Sequence, residues 1–113
     1  MGDMDLPIDP QGFATAIEEI AQLGVPVYIT ENGLADCKDD RRPAMLKQYL
    51  TVLAQALVKK IDIRGYFHWT LVDNFEWDRG TSKKFGLFNA DLTKKTSALC
   101  YKQFIQNHAA LTA

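Results

Sequence analysis

The chain has 113 residues, of which 47% are hydrophobic, 24% charged and 11% aromatic, and its formal net charge is -1. This composition is that of one soluble globular domain, and it excludes a disordered or collagen-like chain. Thirteen basic and fourteen acidic side chains balance one another, so nothing would attract nucleic acid or anionic lipid. We expect no nucleic-acid or membrane partner. Because the start of the chain lacks the pattern of a signal peptide, we expect a cytoplasmic protein.

The two cysteines, Cys37 and Cys100, lie far apart and form no CxxC motif. Closely spaced cysteine pairs are typical of zinc sites, so the sequence predicts no metal site. We expect both residues to be free thiols.

The first predicted elements are a helix over about residues 10 to 23 and a strand over residues 25 to 30. Asp9 offers a side-chain acceptor at the N-cap, Pro10 suits the first helical position, and apolar residues follow at helical spacing. The strand is apolar and rich in β-branched residues without polar alternation. This composition is typical of a strand covered on both faces.

A longer helix is predicted over residues 43 to 60, followed by a second strand over 63 to 69. A long irregular segment then continues to about Asp91, and a last helix covers residues 97 to 111. The irregular segment is too long for a simple connection, and its embedded aromatic residues indicate an ordered, functional loop.

The order helix, strand, helix, strand, long loop, helix is typical of parallel α/β sheets. Two strands alone do not make a stable sheet, because both would be edge strands. We therefore interpret residues 1–113 as one unit without an internal domain boundary, corresponding to a portion of a larger α/β structure.

A first candidate site residue is Glu31, which lies where the first predicted strand ends. The carboxyl ends of parallel strands are where α/β folds bind ligands and place catalytic groups. Taken alone, a carboxylate at such a point is more often a solvated strand end than a catalytic group.

A second group of candidates, Trp69, Glu76 and Trp77, follows the second strand and reaches the same end of the sheet. Indole rings pack on the apolar faces of sugars, and carboxylates accept hydrogen bonds from sugar hydroxyls. The three residues together favour sugar binding over simple packing, whereas Phe75 and Phe88 are better explained as packing residues.

Two long motifs then identify a family by resemblance. Residues 28–33 read YITENG, residues 65–77 read GYFHWTLVDNFEW, and residues 85–87 read FGL. In order and separation these segments resemble glycoside hydrolase family 1, the β-glucosidase family. The resemblance extends over nearly the whole chain.

The resemblance implies a role for each candidate residue. Glu31 corresponds to the catalytic nucleophile of the family, and Trp69 to the aromatic platform under the sugar. Glu76 and Trp77 correspond to the pair that hydrogen-bonds the hydroxyls of the glycone, the sugar unit released by cleavage. Phe85 matches an aromatic residue near that pocket. The resemblance implies no cofactor.

The resemblance also implies a fold. The family folds as a TIM (β/α)8 barrel, and this chain corresponds to its C-terminal portion: helix 6, strand 7, helix 7, strand 8 and helix 8. Retaining glycosidases need a nucleophile and a second carboxyl group as acid/base. The Asn-Glu-Pro motif that carries the family's acid/base is absent from this sequence. We therefore expect the parent protein to be a retaining β-glucosidase and the isolated chain to be inactive.

Three further expectations complete the sequence analysis. The chain could instead be a non-catalytic sugar-binding or assembly fragment that uses the same aromatic and acidic residues. It could also belong to a 6-phospho-β-glucosidase, since Ser82, Lys83 and Lys84 could meet a phosphate, although Glu76 would repel one. Finally, the outer edges of the predicted strands and their inward faces, which have no partner within the chain, favour a homo-oligomer.

Overall fold

A computed structural model describes residues 2–3, 7–75, 77 and 80–112, with side chains described up to residue 108. The elements are helix α1 (Pro10–Ala21), strand β1 (Val27–Asn32), helix α2 (Arg42–Val58), strand β2 (Ile63–His68) and helix α3 (Thr96–Thr112). The predicted order of elements is confirmed, and their boundaries differ by no more than two residues from the prediction. None of the described helices has the length and apolar character needed to cross a bilayer.

Helix α1 begins as its sequence predicts. The Asp9 carboxylate accepts a hydrogen bond from the Gly12 N–H at 2.9 Å, and Pro10 occupies the first turn, where a missing N–H costs no helical bond. After the helix, Gly24 adopts a left-handed φ of 68°, which glycine tolerates because it has no Cβ. The chain can therefore turn sharply into β1.

The two strands form a parallel sheet, as predicted. Val27 is opposite Ile63 at one end, and Asn32 is opposite His68 at the other, with irregular register between them. The carboxyl ends of both strands consequently lie at the same edge of the sheet.

The hydrophobic core lies on one face of this sheet. Val27 and Ile63 are buried there together with Ile17 of α1 and with apolar residues of α2, among them Met45, Leu46, Leu50 and Leu53. On the opposite face, Tyr28 and Phe67 are each 56% exposed. This is what we expect of strands from a larger structure, whose inward faces have no partner within this chain. The helices cover one face, and we call the other the open face.

Arg42, the first residue of α2, is completely buried. Its guanidinium donates to the carbonyl oxygens of Leu34 at 3.0 Å, Asp36 at 2.9 Å and Lys84 at 2.5 Å. The Asp36 carboxylate in turn accepts the Arg42 N–H at 3.0 Å and so caps the helix. Arg42 therefore joins the segment after β1 to the long loop after β2.

Asp39 extends this cross-link to the last helix. It forms an ion pair with Arg42 and accepts hydrogen bonds from the Ser97 N–H at 3.0 Å and the Ser97 hydroxyl at 2.7 Å. Ser97 lies in the first turn of α3, so one buried charge pair fixes the starts of both α2 and α3.

We predict that Arg42→Met lowers the free energy of unfolding by about 3–5 kcal/mol, because it leaves the buried Asp39 carboxylate and several carbonyl oxygens without their donor. Urea denaturation followed by circular dichroism measures the change. Arg64→Met is the control, since Arg64 pairs with Asp62 in solvent and should leave stability unchanged. Equal losses in the two variants would contradict the assigned role of Arg42.

Candidate active site

The candidate site lies at the carboxyl edge of the sheet, where the two motifs meet. Glu31, near the end of β1, is exposed, and Trp69 directly follows β2 and is 37% exposed. The Trp69 N–H donates to the Asn32 carbonyl at 2.9 Å, which continues the pairing beyond β2. A Cβ on Gly33 would lie 2.0 Å from the Trp69 carbonyl oxygen, so only glycine permits this approach. The structure thus brings Glu31 and Trp69 to one edge.

Tyr66 fixes the residue beside Glu31. Its hydroxyl donates to the Asn32 side-chain oxygen at 2.7 Å, and burial raises the pKa of Tyr66 well above its usual value, so the hydroxyl keeps its proton. Tyr66 packs against the core, which places the Asn32 side chain on the helix side. Glu31, the residue before Asn32, is exposed, and it lies within the register irregularity of β1 between Ile29 and Asn32.

His68, one residue before Trp69, also faces the helices. Its ring lies 6.3 Å from the Tyr101 ring of α3, and its Nε2 lies 3.3 Å from the Phe85 carbonyl oxygen. Burial lowers the pKa of His68 to about 4, so the ring is neutral at physiological pH. A neutral ring protonated on Nε2 can donate to Phe85. His68 therefore supports the site from behind.

Phe85 borders the site rather than occupying its open edge. Its carbonyl oxygen accepts a hydrogen bond from the Thr70 N–H at 3.2 Å, directly after Trp69. The residue is half-buried and lines a cavity of about 30 Å³ together with Gly33, Leu34 and other core residues. Phe85 is thus packed beneath the segment that follows Glu31.

The roles predicted for the other two site residues, Glu76 and Trp77, stay predictions. Trp77 is 88% exposed and lies in the long loop between β2 and α3. Glu76 lies outside the described residues, so its predicted position stays a prediction.

Sequence reasoning did not single out Asp73 and Lys95. Their side chains are 6% and 4% exposed, and they form an ion pair at 2.8 Å below the long loop. Asp73 lies inside the second motif, which is the signal that could have drawn attention to it. The position of Lys95 beneath the loop becomes visible only in three dimensions.

A larger groove, of about 850 Å³, lies between α2 and α3 and is lined by apolar residues such as Leu50, Val58 and Phe104. None of the candidate site residues lines it. In the part of the chain that the structure describes, no three His, Cys, Asp or Glu side chains are grouped so that they could hold a metal ion.

Comparison with known proteins identifies the family. The model of glycosyl hydrolase family 1 matches residues 1–110. The chain belongs to glycosyl hydrolase family 1. A β-galactosidase of Pyrococcus woesei is 40% identical over 95 residues, which cover 84% of this chain and 19% of that protein. A 6-phospho-β-galactosidase of Staphylococcus epidermidis is 35% identical over 93% of this chain and 26% of its own length.

Solved family members have the same local fold. The β-glucosidase from Pyrococcus furiosus superposes with a TM-score of 0.88 at 31% identity, over 98% of this chain and 26% of its own. The β-glycosidase BGL167 gives 0.85 at 38% identity, over 95% of this chain and 27% of its own. The chain thus spans about a fifth to a quarter of the family members that it matches. The match to the family model confirms the predicted family. Because these glycosidases are TIM barrels, the predicted relation of this chain to the barrel fold is confirmed as well.

We predict that His68 makes stability depend on pH. Its pKa is about 4 in the fold against an ordinary 6.5, so the unfolded chain takes up a proton first as the pH falls. The neutral His68 ring contributes fully to the free energy of unfolding above pH 6.5. This contribution, up to about 3 kcal/mol, is lost as the pH falls towards 4. Urea denaturation across this range should show the loss, and His68→Asn should remove it. A His68 ring that titrates near 6.5 by NMR would refute this.

Proposed function

We propose that this chain is the C-terminal portion of a retaining β-glucosidase, comprising helix 6, strand 7, helix 7, strand 8 and helix 8 of its barrel, with Glu31 as the nucleophile. The observation that carries this proposal is the position of Glu31, which is exposed at the carboxyl edge and directly precedes Asn32, whose carbonyl accepts the Trp69 N–H. In a closed barrel, this edge is where substrates bind.

The chemistry needs one group that this chain supplies and one that it does not. The Glu31 carboxylate attacks the anomeric carbon while a carboxylic acid protonates the departing oxygen, which gives a glycosyl-enzyme and a free alcohol. Water then attacks the same carbon, the acid residue now accepts a proton, and Glu31 leaves as a carboxylate. The second carboxyl group must lie about 5–5.5 Å from Glu31. It belongs to the remainder of the barrel, so the isolated chain is inactive.

The other candidates provide the sugar contacts. Trp69 presents an indole at the same edge as Glu31, and such a ring packs against the C–H face of a pyranose. Glu76 and Trp77 hydrogen-bond the glycone hydroxyls, and Phe85 supports the pocket from beneath. The substrate is a β-glucoside or a closely related sugar, and no cofactor is needed.

A phosphorylated sugar is the less favoured substrate, although one relative is named a 6-phospho-β-galactosidase. The Lys83 ammonium donates to the Asp3 carbonyl at 2.7 Å, so this cation is already engaged. A glycone-binding carboxylate at Glu76 would repel phosphate. A purely sugar-binding fragment is the alternative if the nucleophile proves inactive.

A hybrid barrel tests the proposal, in which this chain replaces the matching 26% of the Pyrococcus furiosus β-glucosidase. We predict that the hybrid hydrolyses an aryl β-glucoside faster than its 6-phosphate, and that Glu31→Gln lowers kcat by about 10³-fold or more because the nucleophile is lost. Azide should rescue Glu31→Gly and yield the α-glycosyl azide.

The control for the hybrid is Glu19→Gln, which changes an exposed carboxylate on α1 and should retain full activity. The 113-residue chain alone should show no turnover. Undiminished hydrolysis by the Glu31→Gln hybrid would overturn the nucleophile assignment. Sugar binding by an inactive hybrid would favour the binding-fragment alternative.

We also propose that the isolated chain self-associates through the open face. Tyr28 and Phe67 are each 56% exposed there, and in the described residues β1 and β2 each have one unpaired edge. Each Å² of apolar surface removed from water contributes about 25 cal/mol, so covering this face favours association.

Phe67→Glu tests the self-association. We predict that light scattering coupled to size exclusion finds an oligomer of the unaltered chain at micromolar concentration and a monomer of the variant, because a charge on the open face resists burial. Leu23→Glu is the control, since Leu23 is 72% exposed but lies after α1, outside the sheet. A monomeric unaltered chain whose melting is cooperative and independent of concentration would refute self-association.

A further inference from the structure

We infer that Asp73, held by Lys95, is a positioning residue: together they fix the loop that presents Trp77 to the sugar. The inference rests on the proposed function for the role of the loop, but its geometry stands on contacts of its own. We call the segments 70–73 and 85–88 the neck of this loop, and the described residues between them, 74, 75, 77 and 80–84, its tip.

Backbone hydrogen bonds close the neck. The Thr70 N–H donates to the Phe85 carbonyl at 3.2 Å, and the Leu87 N–H donates to the Thr70 carbonyl at 3.1 Å. The Phe88 N–H donates to the Leu71 carbonyl at 2.9 Å, and the Asp73 N–H donates to the Phe88 carbonyl at 3.1 Å. A Cβ on Gly86 would lie 2.4 Å from the Asp73 nitrogen, so the two segments are in close contact. The tip thus leaves and re-enters the fold at nearly the same place.

The Asp73 carboxylate lies inside this neck. Its Oδ1 accepts one hydrogen bond from the Gly86 N–H at 2.8 Å and another from the Lys95 ammonium at 2.8 Å. The Lys95 N–H also donates to the Leu87 carbonyl at 3.0 Å. The buried pair of Asp73 and Lys95 therefore joins both segments of the neck to the start of α3, which directly follows Lys95.

The location of the pair indicates positioning rather than stabilisation alone. The candidate platform Trp69 lies four residues before Asp73, and Trp77 lies four residues after it. Apolar packing could fill the same volume, but only directional hydrogen bonds fix how the tip leaves the neck. Because binding and catalysis depend on sub-ångström placement, the pair should influence how well the sugar is held.

Amide exchange in the 113-residue chain tests the structural part. We expect Lys95→Met and Asp73→Asn to accelerate exchange of the Leu87 and Phe88 amides at least about tenfold, as the neck opens more often. Lys95→Arg keeps the charge and should restore protection. The Trp69 amide, which donates to Asn32 just outside the neck, should exchange at its original rate.

The control variant is Lys59→Met, which removes an exposed ion pair with Glu18 at 2.9 Å and should leave the exchange of the neck amides unchanged. Unchanged neck exchange in Lys95→Met would overturn the inference. Equal acceleration throughout β1, β2 and the helices would also overturn it, because the pair would then act on global stability alone.

The hybrid barrel tests the consequence for the sugar. We expect Lys95→Met to raise KM for an aryl β-glucoside about tenfold with a smaller change in kcat, and Lys95→Arg to restore it. An active hybrid in which Lys95→Met leaves KM unchanged would overturn the positioning role. A hybrid without Glu31-dependent turnover would instead overturn the proposed function, while the exchange measurement still decides whether the pair holds the neck.

Discussion

The buried guanidinium of Arg42 is the contact on which the arrangement of the site depends. It reaches the carbonyl oxygen of Leu34, three residues after Glu31, and that of Lys84, one residue before Phe85. A buried cation is costly to desolvate, and only a nearly complete set of acceptors offsets that cost. The segments that carry the candidate nucleophile and the candidate pocket aromatic are therefore held against each other by electrostatics.

Much of the fold follows from local sequence. Asp9 and Pro10 define the start of α1, and the apolar strands with an intervening helix predict the parallel pair. These signals act over a few residues, so they can be read without knowing the tertiary structure. The coverage of the strands could not be read in this way. Tyr28 and Phe67 belong to residue types common in protein interiors, yet each is 56% exposed among the described residues.

The polar contacts that shape the site were the least predictable part. Arg42 and Lys84 are 42 positions apart, and Asp73 and Lys95 are 22 apart. In sequence, such residues resemble solvated loop positions, because nothing local indicates that their charges will be buried. Two motifs could locate Glu31 and Trp69, yet the resemblance could not indicate which charges hold the surrounding loops. Trp77 is 88% exposed, and its predicted role stays a prediction.

The two halves of the candidate site are coupled through backbone rather than side chains. Gly33 allows the Trp69 carbonyl to approach, and the Trp69 N–H bonds to Asn32, so the register of the sheet sets the spacing between the candidate nucleophile Glu31 and the candidate platform Trp69. The part of the candidate site that contains Glu31 and Trp69 is formed once β1 and β2 pair. The separation of two carboxyl groups, which decides between retention and inversion, would instead depend on the strand proposed to carry the acid. The stereochemistry proposed for the parent protein therefore depends on barrel closure, whereas the position of the candidate nucleophile Glu31 relative to the candidate platform Trp69 depends on the pairing of these two strands.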